Sequence, residues 1–407
     1  MAQPVGSLYV HVPFCVGKCM YCAFYSEPAS DAIVDRYVDA LVREFELVAH
    51  ELKPETVYFG GGTPTVLDAR QWQWLFNQMN RLRVLDAVTE WTVECNPATV
   101  SLAKAHLLRS FGVTRVSLGV QSLNDELLVR LGRVHSRRQV FRAFDTLRNA
   151  GFDNINIDLM FAIPGQTMEM WRQTLAETSA MQPEHLSCYE ITYEDDTPLF
   201  RLMGARRSDA DEELACAMYE ELVEHAAAAG YRQYEVSNFA RDFRQQTGHS
   251  VCTETAMPDC SVAYTPSDAA SVPAFACRHN INYWRGGQFY GLGPSAASYV
   301  AGVHMKNFSD TKRYCALLEQ GQRPIELREQ ISPLKRAGEV AAFGLRMVSG
   351  WSFDEFKRVT GFDLLVEWRN EIEQLVERGW GTRTDTGVKL TRQGLRFADA
   401  VAEMFLR

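Results

Sequence analysis

Tyr9-Val10-His11-Val12-Pro13-Phe14-Cys15-Val16-Gly17-Lys18-Cys19-Met20-Tyr21-Cys22 sets three cysteines within eight residues, directly after a stretch that reads as a β-strand. The C-x3-C-x2-C spacing lets one short loop turn three thiolates toward one face of an iron–sulfur cubane. A cubane has four corners, so one iron is left without a protein sulfur. An open coordination position separates a reactive metal centre from a closed structural one. Zinc held by the three thiolates and the His11 imidazole is the plainer alternative. Zinc thiolates, however, usually come as two separated C-x2-C knuckles.

Outward from this loop, the first two-thirds of the chain alternates β-rich runs with amphipathic helical patterns. Strands are expected at Ser7–Val12, Thr56–Phe59, Glu90–Cys95, Arg115–Gly119, Asn154–Met160 and His185–Ile191. Helices are expected between them: Ile33, Tyr37, Leu41, Phe45 and Val48 recur at three- and four-residue spacing behind Ser30 and Asp31, and similar patterns run over 68–82, 101–110, 137–150 and 168–181. Parallel strands need crossover connections, which helices supply, so six βα units predict a partial or complete barrel. In such folds functional groups gather where the βα loops converge. The cysteines, Gly60-Gly61-Gly62, Glu94, the Ser117–Gln121 run and Asp158 all fall at or near strand ends on that side.

Farther along, a helix is expected near 209–229 and a strand at Gln233–Ser237. Residues 242–276 are rich in Ser, Thr, Ala, Pro and Asp without periodicity, a composition that reads as a mobile loop or lid. Its Cys252, Cys260 and His249 have no familiar metal-site spacing and read as loop residues. From about 330, helical patterns at 334–347, 353–359 and 365–378, a β-like Trp380–Leu390 and a last helix near 392–406 suggest a small winged-helix-type unit.

The 407 residues carry a net charge of −9, with 46% hydrophobic and 23% charged residues. That balance suits a globular protein and gives no basis for general nucleic-acid binding. No apolar run approaches membrane-spanning length, and Met1 to Ser7 offers no export signal, so a cytoplasmic location is expected. Ten cysteines then imply metal ligands and buried thiols; Cys95, Cys188, Cys216 and Cys315 sit in expected strands or helices as small core residues.

Each pocket motif has an ordinary reading beside a functional one. Gly61, Gly62 and Thr63, in Gly60-Gly61-Gly62-Thr63-Pro64, allow close backbone approach to a ligand, or merely a tight turn. Glu94 at a strand end suits paired hydroxyls such as a ribose's, or is a solvated charge. Gln121 can donate and accept. Arg133 offers a fork for a carboxylate. Asp158 interrupts an apolar strand, where an acid must be paired.

Together these residues resemble the radical S-adenosylmethionine (SAM) superfamily, over nearly the whole chain. The resemblance implies a [4Fe-4S] cluster on Cys15, Cys19 and Cys22, whose open iron binds SAM. The SAM cradle would comprise Tyr9, Phe24, Gly61, Gly62, Thr63, Glu94, Gln121, Arg133 and Asp158. It also implies reductive cleavage of SAM to a 5′-deoxyadenosyl radical, with an electron donor for the cluster. Longer strings, His11-Val12-Pro13-Phe14-Cys15, Glu94-Cys95-Asn96-Pro97, Asp158 to Thr167 and Tyr234 to Ala240, resemble the oxygen-independent coproporphyrinogen III oxidase branch. True oxidases continue the triad as C-x-C and have a longer N-terminal segment. Here Phe24 stands at that position and fourteen residues precede Cys15, the pattern of the oxidase-like haem chaperones, the HemW-like proteins.

The branch's haem signature H-N-x-x-Y-W is present as His279-Asn280-Ile281-Asn282-Tyr283-Trp284. An imidazole ligates haem iron and aromatic rings can cover a porphyrin face; the same residues could equally be core packing. Haem contacts are thus expected from His279, Asn280, Tyr283 and Trp284, with Cys277 as a competing axial ligand. The resemblance implies haem as cargo and an acceptor protein, with a membrane protein as one option and a homodimer compatible. The rival expectation is an enzyme acting on a porphyrin or haem, such as the oxidase. The expected architecture is α/β: a partial (β/α)6 TIM-like radical SAM barrel over 1–240, a flexible insertion at 241–276, a haem-signature segment at 277–329 closing the barrel, and a winged-helix-like α+β domain at 330–407.

Overall fold

The inward and outward rows of the strands differ sharply in chemistry, and that difference organises the fold. The computed structural model describes residues 4–203, 209–242 and 272–407. Six parallel strands, β1 (Val5–Val12), β2 (Leu52–Gly61), β3 (Glu90–Cys95), β4 (Arg115–Gln121), β5 (Ile155–Phe161) and β6 (His185–Glu190), lie side by side in chain order. Helices Asp31–Val48, Ala69–Arg81, Leu102–Ser110, Arg137–Asn149 and Met168–Ala180 make the crossovers. Their starts are locally encoded: Asp68 and Gln71 form a reciprocal capping box, and Ser101 and Thr167 each accept a backbone N–H of the first turn.

Apolar residues of the strands, among them Val10, Val57, Phe59, Trp91, Val93, Val116, Leu118, Ile157 and Leu159, form one buried cluster with Trp72, Phe76 and other helix residues. Burying each such side chain contributes about 1.5–3 kcal/mol, which holds the two layers together. The alternate positions are polar: Ser7, Tyr9 and His11 on β1, Thr56 and Tyr58 on β2, Glu90, Thr92 and Glu94 on β3, Arg115 and Ser117 on β4, Asn156 and Asp158 on β5, His185 and Ser187 on β6. A barrel filled in the usual way would have layers of branched aliphatics here.

The sheet continues beyond the six strands. After Asp209–Ala228, β7 (Tyr231–Gln233) and β8 (Asn238–Arg241) form an antiparallel pair, with β8 antiparallel to β6. This corrects the single strand expected at Gln233–Ser237. Glu235 turns inward and accepts from the Ser237 N–H and the Asn238 amide, so these residues make the bend between two strands. At the other edge, β9 (Tyr290–Leu292) pairs parallel with β1, giving nine strands in one sheet. The segment containing Tyr290 therefore extends the sheet edge beside β1.

The expected insertion ends in residues that are described. Val272 and Ala276 are buried with Tyr234, Ala240, Ile281 and Met347, so these insertion residues are core. Cys252, Cys260 and His249 lie outside the described residues. The helix Arg278–Trp284, carrying the H-N-x-x-Y-W string, sits against the N-terminal halves of the strands. The C-terminal unit has its own core around Trp351, Phe356, Trp368, Leu375 and Phe405. Helix Pro333–Gly344 leads to the short strand Trp351–Ser352; helices Phe353–Thr360 and Arg369–Glu377 follow, then strands Gly381–Arg383 and Gly387–Leu390, which complete a three-stranded sheet with Trp351–Ser352, and the final helices Arg392–Arg396 and Ala398–Phe405. Among the described residues, no helix is long and apolar enough to cross a membrane.

Candidate functional site

A cavity of about 760 Å³ opens at the C-terminal ends of the strands. Cys15, Cys19, Cys22, Phe24, Gly61, Gly62, Thr63, Glu94, Gln121, Arg133 and Asp158 all line it, so eleven of the twelve residues expected for cluster and SAM meet there. Tyr9 is the exception. It does not line the cavity, and its hydroxyl lies 3.1 Å from His11 Nδ1.

The cysteine loop is held by backbone. Met20 N–H donates to Leu131 O at 3.0 Å, and Leu199 N–H donates to Met20 O at 2.8 Å. The glycine loop docks on the end of β1: Gly62 N–H reaches Val12 O at 2.8 Å and Thr63 N–H reaches Phe14 O at 2.7 Å. A Cβ on Gly62 would stand 2.6 Å from Phe14 O, and one on Gly61, where φ is +99°, would stand 2.5 Å from the His11 ring. The glycines therefore serve close backbone packing as much as any ligand.

The sulfurs have polar neighbours. Thr63 Oγ1 donates to Cys15 Sγ at 3.7 Å, and Arg133 Nη1 to Cys19 Sγ at 3.3 Å. Arg133 also donates through Nη2 to Gly119 O at 2.6 Å, while its buried Nε has no partner. Burial raises the Cys15 and Cys22 thiols, since desolvation penalises the thiolate. His11, the fourth ligand in the zinc alternative, is buried with Nε2 donating to Tyr25 O at 2.9 Å and Nδ1 against Tyr9. Both of its nitrogens are engaged where it sits, so it does not present a fourth ligand beside the thiols.

Two carboxyls face this space. Glu94 is pushed up to about 7 by burial and by Asp158, although Tyr58 donates to it at 2.9 Å. Asp158 is raised to about 6 by burial, against hydrogen bonds from Asn156 at 2.7 Å and Ser117 at 3.1 Å. Two acids desolvated together create demand for positive charge, which a sulfonium and an ammonium would meet. Gln121 adopts φ +66° after an irregularity in β4, an uncommon conformation for a side-chain-bearing residue that turns it at the cavity's edge. The residues present thus fit a [4Fe-4S] cluster and SAM: three thiols, an unpartnered guanidinium nitrogen and two acids that burial raises despite their hydrogen bonds share one cavity.

The expected haem residues lie elsewhere. His279 is 1% exposed, with Nδ1 3.1 Å from both Ser7 Oγ and Thr56 Oγ1 and Nε2 3.2 Å from Tyr283 Oη. Its backbone N–H and that of Arg278 bond Glu90. Burial lowers its pKa to about 3, so the imidazole is neutral but has no free nitrogen for iron. Tyr283 packs edge-on against His279 and Phe289, whereas Trp284 lies beneath Arg346 and near Phe343 of the C-terminal unit. Asn280 is half-buried on the same helix. In this conformation His279 is a core histidine with both nitrogens engaged. Cys277 is buried, pushed up to about 12 by desolvation, and aims its thiol at Glu90 at 3.6 Å.

Sequence reading passed over Tyr58, Arg115 and Tyr189. All three lie on the polar row, and Tyr58 and Tyr189 line the cavity. Period-two polarity inside strands taken as buried was the signal that could have found them.

The comparisons with known proteins agree with this geometry. The Radical SAM superfamily profile matches residues 9–177, and that of the HemN C-terminal domain matches 331–397. The chain is 31% identical to heme chaperone HemW of Bacillus subtilis (strain 168), covering 98% of this chain and 99% of the relative. It is also 31% identical to heme chaperone HemW of Lactococcus lactis subsp. lactis (strain IL1403), covering 100% and 98%. The solved structure of coproporphyrinogen III oxidase from Escherichia coli matches with a TM-score of 0.76 at 21% identity, covering 99% of this chain and 90% of that one, which shows a common fold. With a cysteine loop at the mouth of six parallel strands, a match to the radical SAM profile, a HemN-type C-terminal unit after it, and similarity to these relatives over nearly the whole length, the chain belongs to the HemW family of radical SAM proteins.

Proposed function

We propose that this protein binds haem and passes it to an acceptor protein, with a [4Fe-4S] cluster on Cys15, Cys19 and Cys22 and SAM in the adjoining cavity. The observation that carries the reading is full-length similarity to haem chaperones combined with Phe24 at the C-x-C position. Phe24 is 67% exposed at the cavity mouth, so that position supplies an apolar surface and no thiol. When bound, the cluster would supply one-electron chemistry toward the sulfonium, from an external electron donor. The chain's own part is to hold charge and exclude water. Glu94 and Asp158 set a negative wall, Arg133 meets a carboxylate, and Gln121 with the Gly61–Thr63 backbone borders the ligand. A cytoplasmic location and a soluble or membrane-bound acceptor both suit this reading.

Haem ligation through His279, Asn280, Tyr283 and Trp284 requires their helix to unseat from the strands, because both His279 nitrogens are engaged where it sits. Anaerobic reconstitution, followed by iron, sulfide and haem quantitation in one sample, tests the proposal. It expects iron and sulfide in cubane ratio, retained haem, and no protoporphyrinogen when reductant, SAM and coproporphyrinogen III are added. Turnover of coproporphyrinogen III would replace the chaperone reading with the oxidase.

A further inference from the structure

His279 and the cavity acids are joined by the polar row between them. The His279 ring stacks on Tyr58 with centroids 5.2 Å apart and planes 29° from parallel. Tyr58 carries its hydroxyl onward to Glu94 at 2.9 Å. The ring beneath is fixed on every side. Thr56 donates to Ser7 at 3.0 Å, which leaves the Ser7 proton for Nδ1, and Nε2–H then donates to Tyr283. Glu90 anchors the backbone by accepting from the N–H groups of Arg278 and His279, each at 2.9 Å.

A second chain of bonds starts one residue-pair away. Cys277 N–H donates to Tyr234 Oη at 3.1 Å; that oxygen lies 2.8 Å from His185 Nε2, and His185 Nδ1 lies 2.6 Å from Asn156 Oδ1. Asn156 Nδ2 then donates to Asp158 at 2.7 Å. The segment Cys277–His279 thus reaches Glu94 by one route and Asp158 by another, and both routes end on a cavity acid.

We propose that His279 is a positioning residue for the SAM cavity: it seats the Tyr58 ring so that the Tyr58 hydroxyl fixes Glu94 in the orientation that receives SAM. This rests on the reading that Glu94 contacts SAM. A hydrogen bond to a carboxylate works only with its donor held in line, and a tyrosine has little freedom once one ring face is covered. Gly60 completes the fit, because a Cβ there would come within 3.0 Å of both Glu94 and Tyr58. Glu94 also faces Asp158 from β5, Arg115 from β4, Tyr9 from β1 and Tyr189 from β6. Losing the Tyr58 bond therefore removes the one side-chain donor given for Glu94 and leaves the Gly61 backbone N–H to hold it.

Calorimetric titration of SAM into anaerobically reconstituted, cluster-loaded protein tests this. Tyr58→Phe should weaken binding roughly tenfold, the worth of one charge-assisted hydrogen bond. His279→Ala should weaken it several-fold with iron and sulfide unchanged, and His279→Phe, which keeps a ring against Tyr58, should recover most of the loss. The double change Tyr58→Phe with His279→Ala should bind no worse than the weaker single variant, since both act through one bond. Should His279→Ala fail to fold, His279→Gln carries the same test without the ring. A folded, cluster-loaded His279→Ala or His279→Gln protein that binds SAM like the wild type overturns the proposal alone. If Glu94→Gln itself leaves SAM binding unchanged, the assignment of Glu94 to the cavity ligand fails and the proposal falls with it.

Discussion

The two ends of one barrel interior are built from the same strands and the same polar rows, yet they are satisfied to different degrees. At the N-terminal end, Glu90 receives two backbone N–H groups and a thiol, and His279 and His185 have partners on both nitrogens. At the C-terminal end, Glu94 and Asp158 are raised toward neutrality, Arg133 keeps a buried nitrogen without a partner, and Gln121 sits at positive φ. A buried polar group costs free energy unless it is paired. Each end meets part of that cost internally: toward the floor Arg115 Nε and Thr92 Oγ1 are buried without a partner, and at the mouth Glu94 and Asp158 accept from Tyr58, Asn156 and Ser117, while Arg133 Nε is left for a ligand. Position on a strand therefore says less about function than whether a polar group's bonds are already spent.

The sharpest way to break this contrast is at Gly62, where the mouth depends on backbone contact. Gly62→Ala places a methyl 2.6 Å from Phe14 O and 2.8 Å from Val12 O, and neither carbonyl can move without moving the cysteine loop. The expected cost is roughly 1–3 kcal/mol of stability, typical of overpacking, together with reduced cluster content. Thermal melting and iron–sulfide analysis read both. Wild-type melting and a full cluster in the Gly62→Ala protein would mean that the glycine loop is not seated on β1 as described.

The second test uses protons, because the two ends carry opposite linkage. Glu94 has its folded pKa raised to about 7, so its ionisation costs stability at higher pH and that cost is relieved as pH falls through 7. His279 has its folded pKa lowered to about 3, so its contribution is complete above the free histidine value and fades as pH falls below about 6.5. Between about pH 7.5 and pH 5.5, Glu94→Gln should lose stability relative to wild type on acidification, and His279→Phe should gain relative to wild type. Each full unit of displaced pKa corresponds to about 1.4 kcal/mol, so differences of order 1 kcal/mol are expected. Denaturant melts of the cluster-free protein at the two pH values measure them. Parallel curves for all three proteins would show that the mouth and floor do not differ in this way.

Much of this architecture was readable in advance. Six strands and their crossover helices follow from runs such as Val57-Tyr58-Phe59 and from the three- and four-residue spacing of Ile33, Tyr37 and Leu41, because apolar periodicity is dictated by which face is buried. The mouth residues were readable because strand ends and glycine loops announce themselves. Tyr58 and Arg115 were not, since each lies inside a strand away from the glycine loops and strand ends on which the site reading drew. The bend at Tyr234–Ser237 was missed because Tyr234 and Val236 suit a strand, while the bonds that turn the chain come from Glu235 and Asn238 acting at short range. Haem contact was expected of His279 from the H-N-x-x-Y-W signature, with core packing as the alternative, because a motif states what an imidazole can ligate. It does not state that Ser7, Thr56 and Tyr283, distant in sequence or on another element, will have taken its nitrogens.

The smallest effect belongs to Cys277, where the floor is most fully satisfied. Its thiol is held protonated, at about 12, by burial and by Glu90, so it does not offer a thiolate to haem iron while its segment is seated. Cys277→Ser keeps the shape and supplies a hydroxyl that can donate to the same carboxylate. The expected change in stability is within about 1 kcal/mol, the scale of one neutral hydrogen bond, and the absorption spectrum of haem-loaded protein should be unaltered. Loss of a thiolate-ligated haem spectrum on this substitution would show that the segment leaves the floor to bind haem. The contrast between a closed floor and an open mouth would then describe only the haem-free protein.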